Sequence, residues 1–293
     1  MRSTHRTRWL SILLVMLGAV SWAAAQPNDD ACPALVEEAL ARVAEGCQTL
    51  GRNQICYGND RLTVSGVDAL PLPDFDESGD TTEVQRIAAL TTAAMNVEEN
   101  VWGIALMALQ ANIPNTLPGQ NVTFVVFGDV SMQVDPDNSG FDAPMQAFSF
   151  TTGIGTPQCR EAPFDGVLLQ TPEDITVNFK VNGIEIEAGS TVLLDERSEG
   201  KVWVSALEGS AKVTSQGATQ RADAGYIVIT RPGEVPQPPQ PYKNEDVRAV
   251  PIVLLPRPIT IPFVLDSIEG TRDWLESDFV VTAGSTYTLV VTD

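Results

Sequence analysis

Two short acidic loops carry residue types at a spacing that could hold a metal ion. One is DFDESG, with Asp74, Asp76, Ser78 and Gly79, followed by Asp80; the other is DPDNSG, with Asp135, Asp137, Ser139 and Gly140, followed by Asp142. Oxygen donors at positions 1, 3 and 5 with glycine at 6 open a calcium loop. Position 12 departs from that pattern, because Gln85 and Gln146 stand where a bidentate glutamate would close the shell. Calcium binding would therefore lean on Asp80 and Asp142. Two Asp-Ser-Gly surface turns in an acidic chain are the preferred reading, with no cofactor expected and calcium as the alternative.

Other chemistries are limited by what the chain lacks. The only histidine is His5, so beyond it neither a Ser-His-Asp triad nor a His-ligated zinc can be built. Glycoside hydrolysis needs two carboxyl groups in a sugar-sized cleft, usually lined by aromatics, and only Trp102, Trp203 and Trp274 follow residue 25. A non-enzymatic protein is expected. Trp203, on the strand around Val202–Val204, and Tyr226, beside Ile227, could form a sugar-stacking platform; the plainer role is aromatics capping a β core.

The N-terminus speaks to location. Arg2, Arg6 and Arg8 precede an apolar stretch from Trp9 to Trp22, and Ala23-Ala24-Ala25 follows, the pattern of a secretory signal peptide cleaved after Ala25. The apolar core of ~14 residues is short of the ~20 that span a bilayer, so no membrane span is expected after cleavage. Cys32 follows Asp29-Asp30-Ala31, so lipidation is not expected either. Removing that segment takes three of the 18 basic residues and none of the 38 acidic ones, which leaves a net charge of −23. Such a surface repels nucleic acid and anionic lipid.

Cys32, Cys47, Cys56 and Cys159 all lie in the exported part, where disulfides are expected. Residues Pro33 to Glu45 carry Leu35, Val36, Leu40 and Val43 at helical spacing. The ends of that helix would stand ~20 Å apart at 1.5 Å per residue. Bridged Cα atoms lie ~4.4–6.8 Å apart, which disfavours Cys32–Cys47. The favoured pairs are Cys47–Cys56 and Cys32–Cys159.

The remaining elements are mostly strands. Leu62–Val64, Val101–Gln110, Val122–Phe127, Val130–Val134 and Met145–Thr151 have strand character, and Thr82–Met95 has helical phase. Between Ile175 and Thr230 short alternating bursts stop at glycine turns such as Asn182-Gly183, Glu199-Gly200, Gln216-Gly217 and Ala224-Gly225. PGEVPQPPQP, Pro232–Pro241, reads as a polyproline linker or extended arm. Ala249–Leu265 carries Pro251, Pro256, Pro258 and Pro262 and reads as extended edge segments, and Phe279–Thr282 with Tyr287–Val291 as a closing hairpin.

GSTVLL (Gly189–Leu194), KVWVSALEGSAKV (Lys201–Val213) and QRADAGYIVI (Gln220–Ile229) together resemble the FecR-like domain of bacterial extracytoplasmic proteins, over about Val181–Val228. CYGN (Cys56–Asn59) and LLQTPEDITVNFKVNGIEI resemble uncharacterised secreted bacterial proteins that carry this module. The resemblance implies a β-sandwich or β-roll used for interaction rather than catalysis. No transmembrane helix or cytoplasmic segment of a signal relay is recognisable, so relay across a membrane does not carry over. The expected organisation is a signal peptide, 1–25; a disulfide-containing α+β region, 26–170; a FecR-like β domain, 171–231; a Pro-rich linker, 232–248; and a C-terminal β segment, 249–293. The fold class is mainly β with one or two N-terminal helices. The expected function is a secreted, cell-surface or extracellular binding protein with protein or glycan partners. Alternatives are a calcium-stabilised adhesive protein assembling through strand edges around Ile252–Leu265, or a carboxylate-dependent glycosidase.

Overall fold

The computed structural model describes residues 31–110, 121–135, 145–154, 157–158, 162–198, 200–265 and 286–291. The chain opens with helix α1, Ala31–Gly46, which buries Cys32, Leu35, Val36, Ala39, Leu40 and Val43 along one stripe. This is the apolar i, i+3, i+4 face its sequence prescribes. Cys47, just past the helix, is bonded to Cys56 at a Cα separation of 5.8 Å. Cys32 is also disulfide-bonded; Cys159 lies outside the described residues.

Fifteen strands form one curled, mixed sheet. In chain order they are β1 Gln54–Asn59, β2 Thr63–Gly66, β3 Thr81–Glu83, β4 Ile87–Thr92, β5 Ile104–Leu109, β6 Val122–Phe127, β7 Val130–Val134, β8 Ala147–Thr152, β9 Gly166–Gln170, β10 Val177–Val181, β11 Ile184–Ser198, β12 Lys201–Ser215, β13 Ala218–Asp223, β14 Tyr226–Thr230 and β15 Gln240–Pro241. The hydrogen-bonded order is β2-β4-β7-β8-β10-β11-β9-β6-β5-β1-β3, with β12 on the other edge of β11, β13 and β14 on β12, and β15 on β14. Ladders cross residue 171 without a break, because β8 pairs with β10 and β9 pairs with both β6 and β11. A separate parallel pair joins β16, Thr260–Leu265, to β17, Thr286–Val291. The other arm expected for a closing hairpin, Phe279–Thr282, lies outside the described residues.

The curl comes from the fifteen-residue strands β11 and β12. The first part of β11 pairs with β10 and a later part with β9, while β12 carries β13 on its late part and β14 on its early part. Their register slips between Thr191, opposite Glu208, and Val192, opposite Ala206, next to the close approach of Gly189 and Gly209. Gly209 has φ +68°, and a Cβ there would stand 1.9 Å from the Gly189 carbonyl oxygen, so only glycine fits this crossing. Asn182 and Gly183 supply the two positive φ values of the β10–β11 turn.

Folding the sheet over itself makes an inner core. Phe124 of β6 meets Phe148 of β8 and Phe179 of β10 at ring distances of 6.1 and 5.6 Å. Alternate residues Val125, Phe127, Leu168 and Leu193 point outward into a second core, closed by α1 and the segment from Tyr242 to Ile261. Both faces of β6 and β9 are covered, so every residue of each strand is buried, Thr123 and Gln170 included.

One expected element is corrected. Thr82–Met95 is not a helix but β3, a 3₁₀ turn at Val84–Arg86, and β4. Its helical phase survives locally as that turn. The strand partners that outweigh it, β1, β2 and β7, come from distant sequence. Among the described residues α1 is the one α-helix, and it is not long and apolar enough to cross a membrane.

Candidate functional site

Several chain reversals meet at one end of the sheet. The Gly128-Asp129 turn joins β6 to β7, Gly153 follows β8, Phe164-Asp165 precede β9, and Ala94-Met95 follow β4. Backbone bonds tie them together: Gly103 N–H donates to Ala93 O (2.9 Å), Gly128 N–H to Gly103 O (3.0 Å) and Gly153 N–H to Asp129 O (2.7 Å). The result is a cleft of about 200 Å³ with Asp129 and Asp165 beside walls of Met95, Ile154, Pro157, Pro163 and Phe164. Ile154 is 64% exposed at its rim.

The two carboxylates converge on Gly153. A Cβ at that residue would lie 2.6 Å from Asp165 Oδ2 and 3.0 Å from Asp129 Oδ2, so a side chain there would displace both acids. Gly128, at φ +80°, likewise leaves room for Asp165 Oδ1. The Asp165 carboxyl is raised to about 6: burial is the main cause, a hydrogen bond from the Asp129 backbone opposes it, and the Asp129 charge adds to it. Among the described residues, neither acid has a cationic partner.

Asp195, Asp246 and Glu208 each have one, whereas the buried Glu196 accepts the Gly200 N–H at 2.6 Å. Asp195 accepts from Arg197 Nε at 2.9 Å and from Nη2 at 3.1 Å, while Arg197 also donates to the carboxylate and backbone oxygen of Asp246. Burial raises Asp195 to about 6, against the pull of Arg197 and with help from the charge of Asp246. The Arg197 guanidinium also stacks 4.2 Å from the Phe164 ring centroid and 4.8 Å from that of Trp203. Glu208, beside the register slip of the long hairpin, accepts from Arg257 Nη1 at 2.9 Å and from the Ser190 hydroxyl. Burial would raise Glu208, but the hydrogen bonds from Arg257, Ser190 and Thr191 hold it below the usual carboxylate range.

The residues picked out from sequence fall elsewhere. Asp74, Asp76 and Ser78 are exposed, while the Asp80 carboxylate turns back into its own loop to accept the N–H groups of Asp76 (3.1 Å) and Glu77 (2.8 Å). Asp135 pairs with Lys180 at 3.0 Å; Asp137, Ser139 and Asp142 lie outside the described residues. Among the described residues no three Asp, Glu, Cys or His side chains converge as metal ligands. Trp203 and Tyr226 are not brought together. β12 and β14 pair with Trp203 opposite Ile229 and Ser205 opposite Ile227, which puts Tyr226 on the other face. Trp203 accordingly packs on the outer core and Tyr226 on the inner one.

Asp129 and Asp165 escaped the sequence reading because they are 36 residues apart and neither sits in a spaced motif. Their available signal was the pair of Asp-Gly contexts, Gly128-Asp129 and Asp165-Gly166, at the ends of apolar strands.

No family model matches the chain, and no curated protein matches it. Among solved structures, a candidate anti-sigma factor from Parabacteroides distasonis aligns at 8% identity and a TM-score of 0.27, over 46% of this chain and 60% of that one. A likeness at that level carries no argument about fold or function.

Proposed function

We propose that the protein is an exported, non-enzymatic binding module that receives an alkylammonium group, such as a lysine side chain of a protein partner, in the Asp129–Asp165 cleft. One observation carries this reading: Asp195, Asp246 and Glu208 are matched by Arg197 and Arg257, whereas Asp129 and Asp165 have no cation among the described residues. Asp129 is exposed, but Asp165 is half-buried, and a half-buried charge without a partner is costly; a cation from outside would relieve it. The walls suit the ligand's stem, since a lysine buries its methylenes against apolar surface while its ammonium seeks oxygen. Export is supported by the leader-like N-terminus and the Cys47–Cys56 bridge. The residues that resemble a FecR-like domain form β11 to β14, and Arg197 near the end of β11 stacks on Phe164 of the cleft wall.

The test is titration with N-acetyl-lysine methylamide against N-acetyl-norleucine methylamide, which has the same number of side-chain carbons and no charge. Lysine is expected to bind about tenfold tighter or better, a difference of about 1.4 kcal/mol. That advantage should vanish in Asp129→Asn with Asp165→Asn, and shrink below about pH 6 as Asp165 takes up a proton. Equal binding of the two probes rejects the reading.

A further inference from the structure

The groove beside β14 is filled by the chain itself, in the manner of a bound peptide. The Pro-rich stretch leaves β14, reverses, and returns along its free edge: Gln237 N–H donates to Ile229 O (2.9 Å), Gln240 and Pro241 pair with Ile227 and Tyr226, and Tyr242 N–H donates to Gly225 O (3.1 Å). Tyr242, 2% exposed, anchors the arm in the outer core, and its hydroxyl donates to Pro262 O at 2.8 Å. Four residues on, Asp246 is gripped by Arg197. Strand pairing, an aromatic anchor and a charge clamp are the parts by which sheets take up extended peptides in trans.

The connection between sheet and arm is short, residues 231–236, and turns on a bond from Glu234 N–H to Arg231 O at 3.0 Å. Of residues 232–241 only Pro236 is buried. Prolines keep such a stretch extended, so it can reach outward as readily as back. We infer that residues 237–262 form an exchangeable arm and that the arm of a second copy can fill the same groove, giving a strand-swapped dimer.

The energetics define when this happens. The contacts are the same in cis and in trans, so the balance depends only on the arm's effective concentration near its own groove, about millimolar for a short flexible connection. Several large apolar side chains must leave the core before exchange, so a folded monomer opens slowly, and the swap is set while chains fold.

The test uses the full chain with its native disulfides left oxidised. Tyr226 and Pro241 are Cα partners in the β14–β15 ladder, so cysteines at these positions can be bridged. Chains with Tyr226→Cys alone and Pro241→Cys alone are mixed in denaturant, refolded at about 1 mM and oxidised. A covalent heterodimer is expected whose peptide map joins positions 226 and 241, with its yield falling about tenfold or more when refolding is done a hundredfold more dilute. The double variant in one chain, refolded dilute, must close within the monomer, which shows that the ladder forms despite the substitutions. If the double variant closes and the mixed single variants give no 226–241 heterodimer at the higher concentration, the arm serves only its own chain and the inference fails. A heterodimer joined through other cysteines fails it equally.

Discussion

Two covers lie on the outer face of the same sheet and are held there by different means. Helix α1 lays Leu35, Val36, Ala39, Leu40 and Val43 on it and is tied covalently, by Cys47–Cys56 and by a second disulfide at Cys32. The C-terminal arm lays Tyr242, Val247, Val250, Ile252 and Ile259 on it and is tied by Arg197–Asp246 and Arg257–Glu208. A disulfide restricts the unfolded chain and its bond persists in any aqueous buffer without reductant. An ion cluster changes strength with the charge states of its members and holds only while its arm stays docked. The helix is thus a fixed cover, whereas the arm is a conditional one.

Tyr242→Ala is expected to have the largest effect. It empties a fully buried aromatic site and removes a hydrogen bond to Pro262, at a cost of about 3–5 kcal/mol, read from denaturant melts. If the arm were peripheral, the loss would stay below about 1 kcal/mol. Next in size, Cys47→Ser with Cys56→Ser should cost about 2–3 kcal/mol, because the bridge closes a loop with a sequence separation of only 9. Amide exchange should rise in α1 while the arm stays protected; equal loosening of both would show that the covers are not independent.

Glu208→Gln should cost about 1–2 kcal/mol, since it leaves Arg257 without its carboxylate beside the register slip of the hairpin. The two arm clamps also titrate in opposite senses. Asp195 is raised from 3.8 to about 6 in the fold, so its ionisation takes stability away as pH rises through that window. Glu208 is lowered from 4.5, so its contribution is present above that value and is lost as pH falls through the folded pKa. Relative to wild type, Asp195→Asn should therefore remove a fall in melting temperature between about pH 4 and 6, and Glu208→Gln a rise with pH at the acidic end. Parallel profiles for the two variants would mean that the clamps are equivalent after all.

The smallest effect is expected in the cleft. Asp165→Asn removes a half-buried carboxylate that has no cation, and should stabilise the protein by about 1 kcal/mol at pH 7 while weakening lysine binding. A destabilised variant would show that Asp165 is a structural acid.

The rhythm of strands and turns was largely legible because it is local. Asn182-Gly183 and Gln216-Gly217 mark two-residue turns, whereas the register that sets Val204 opposite Val228 came only with the β12–β14 pairing. The Cys47–Cys56 pair was favoured but not dictated: helix geometry removes Cys32–Cys47 and leaves two of three pairings, between which the fold decides. Thr82–Met95 was misread because its 3.6-residue phase is real at Val84–Arg86, while the partners of β3 and β4 lie far along the chain. A shared platform of Trp203 and Tyr226, the alternative to core capping, needed a strand pairing that sequence does not give, and strand parity sends the two to opposite faces.

What the sequence determined by itself is therefore what near neighbours along the chain decide: acidity, the helix at Ala31–Gly46, and the rhythm of strands and turns. The tertiary structure decided which acids are matched and which are left open. Asp129 meets Asp165 only because β6, β8 and β9 bring their ends together, and Asp246 reaches Arg197 only because the arm folds back over β14. Such encounters depend on closing loops of tens of residues, and chain patterning at short range carries no record of them.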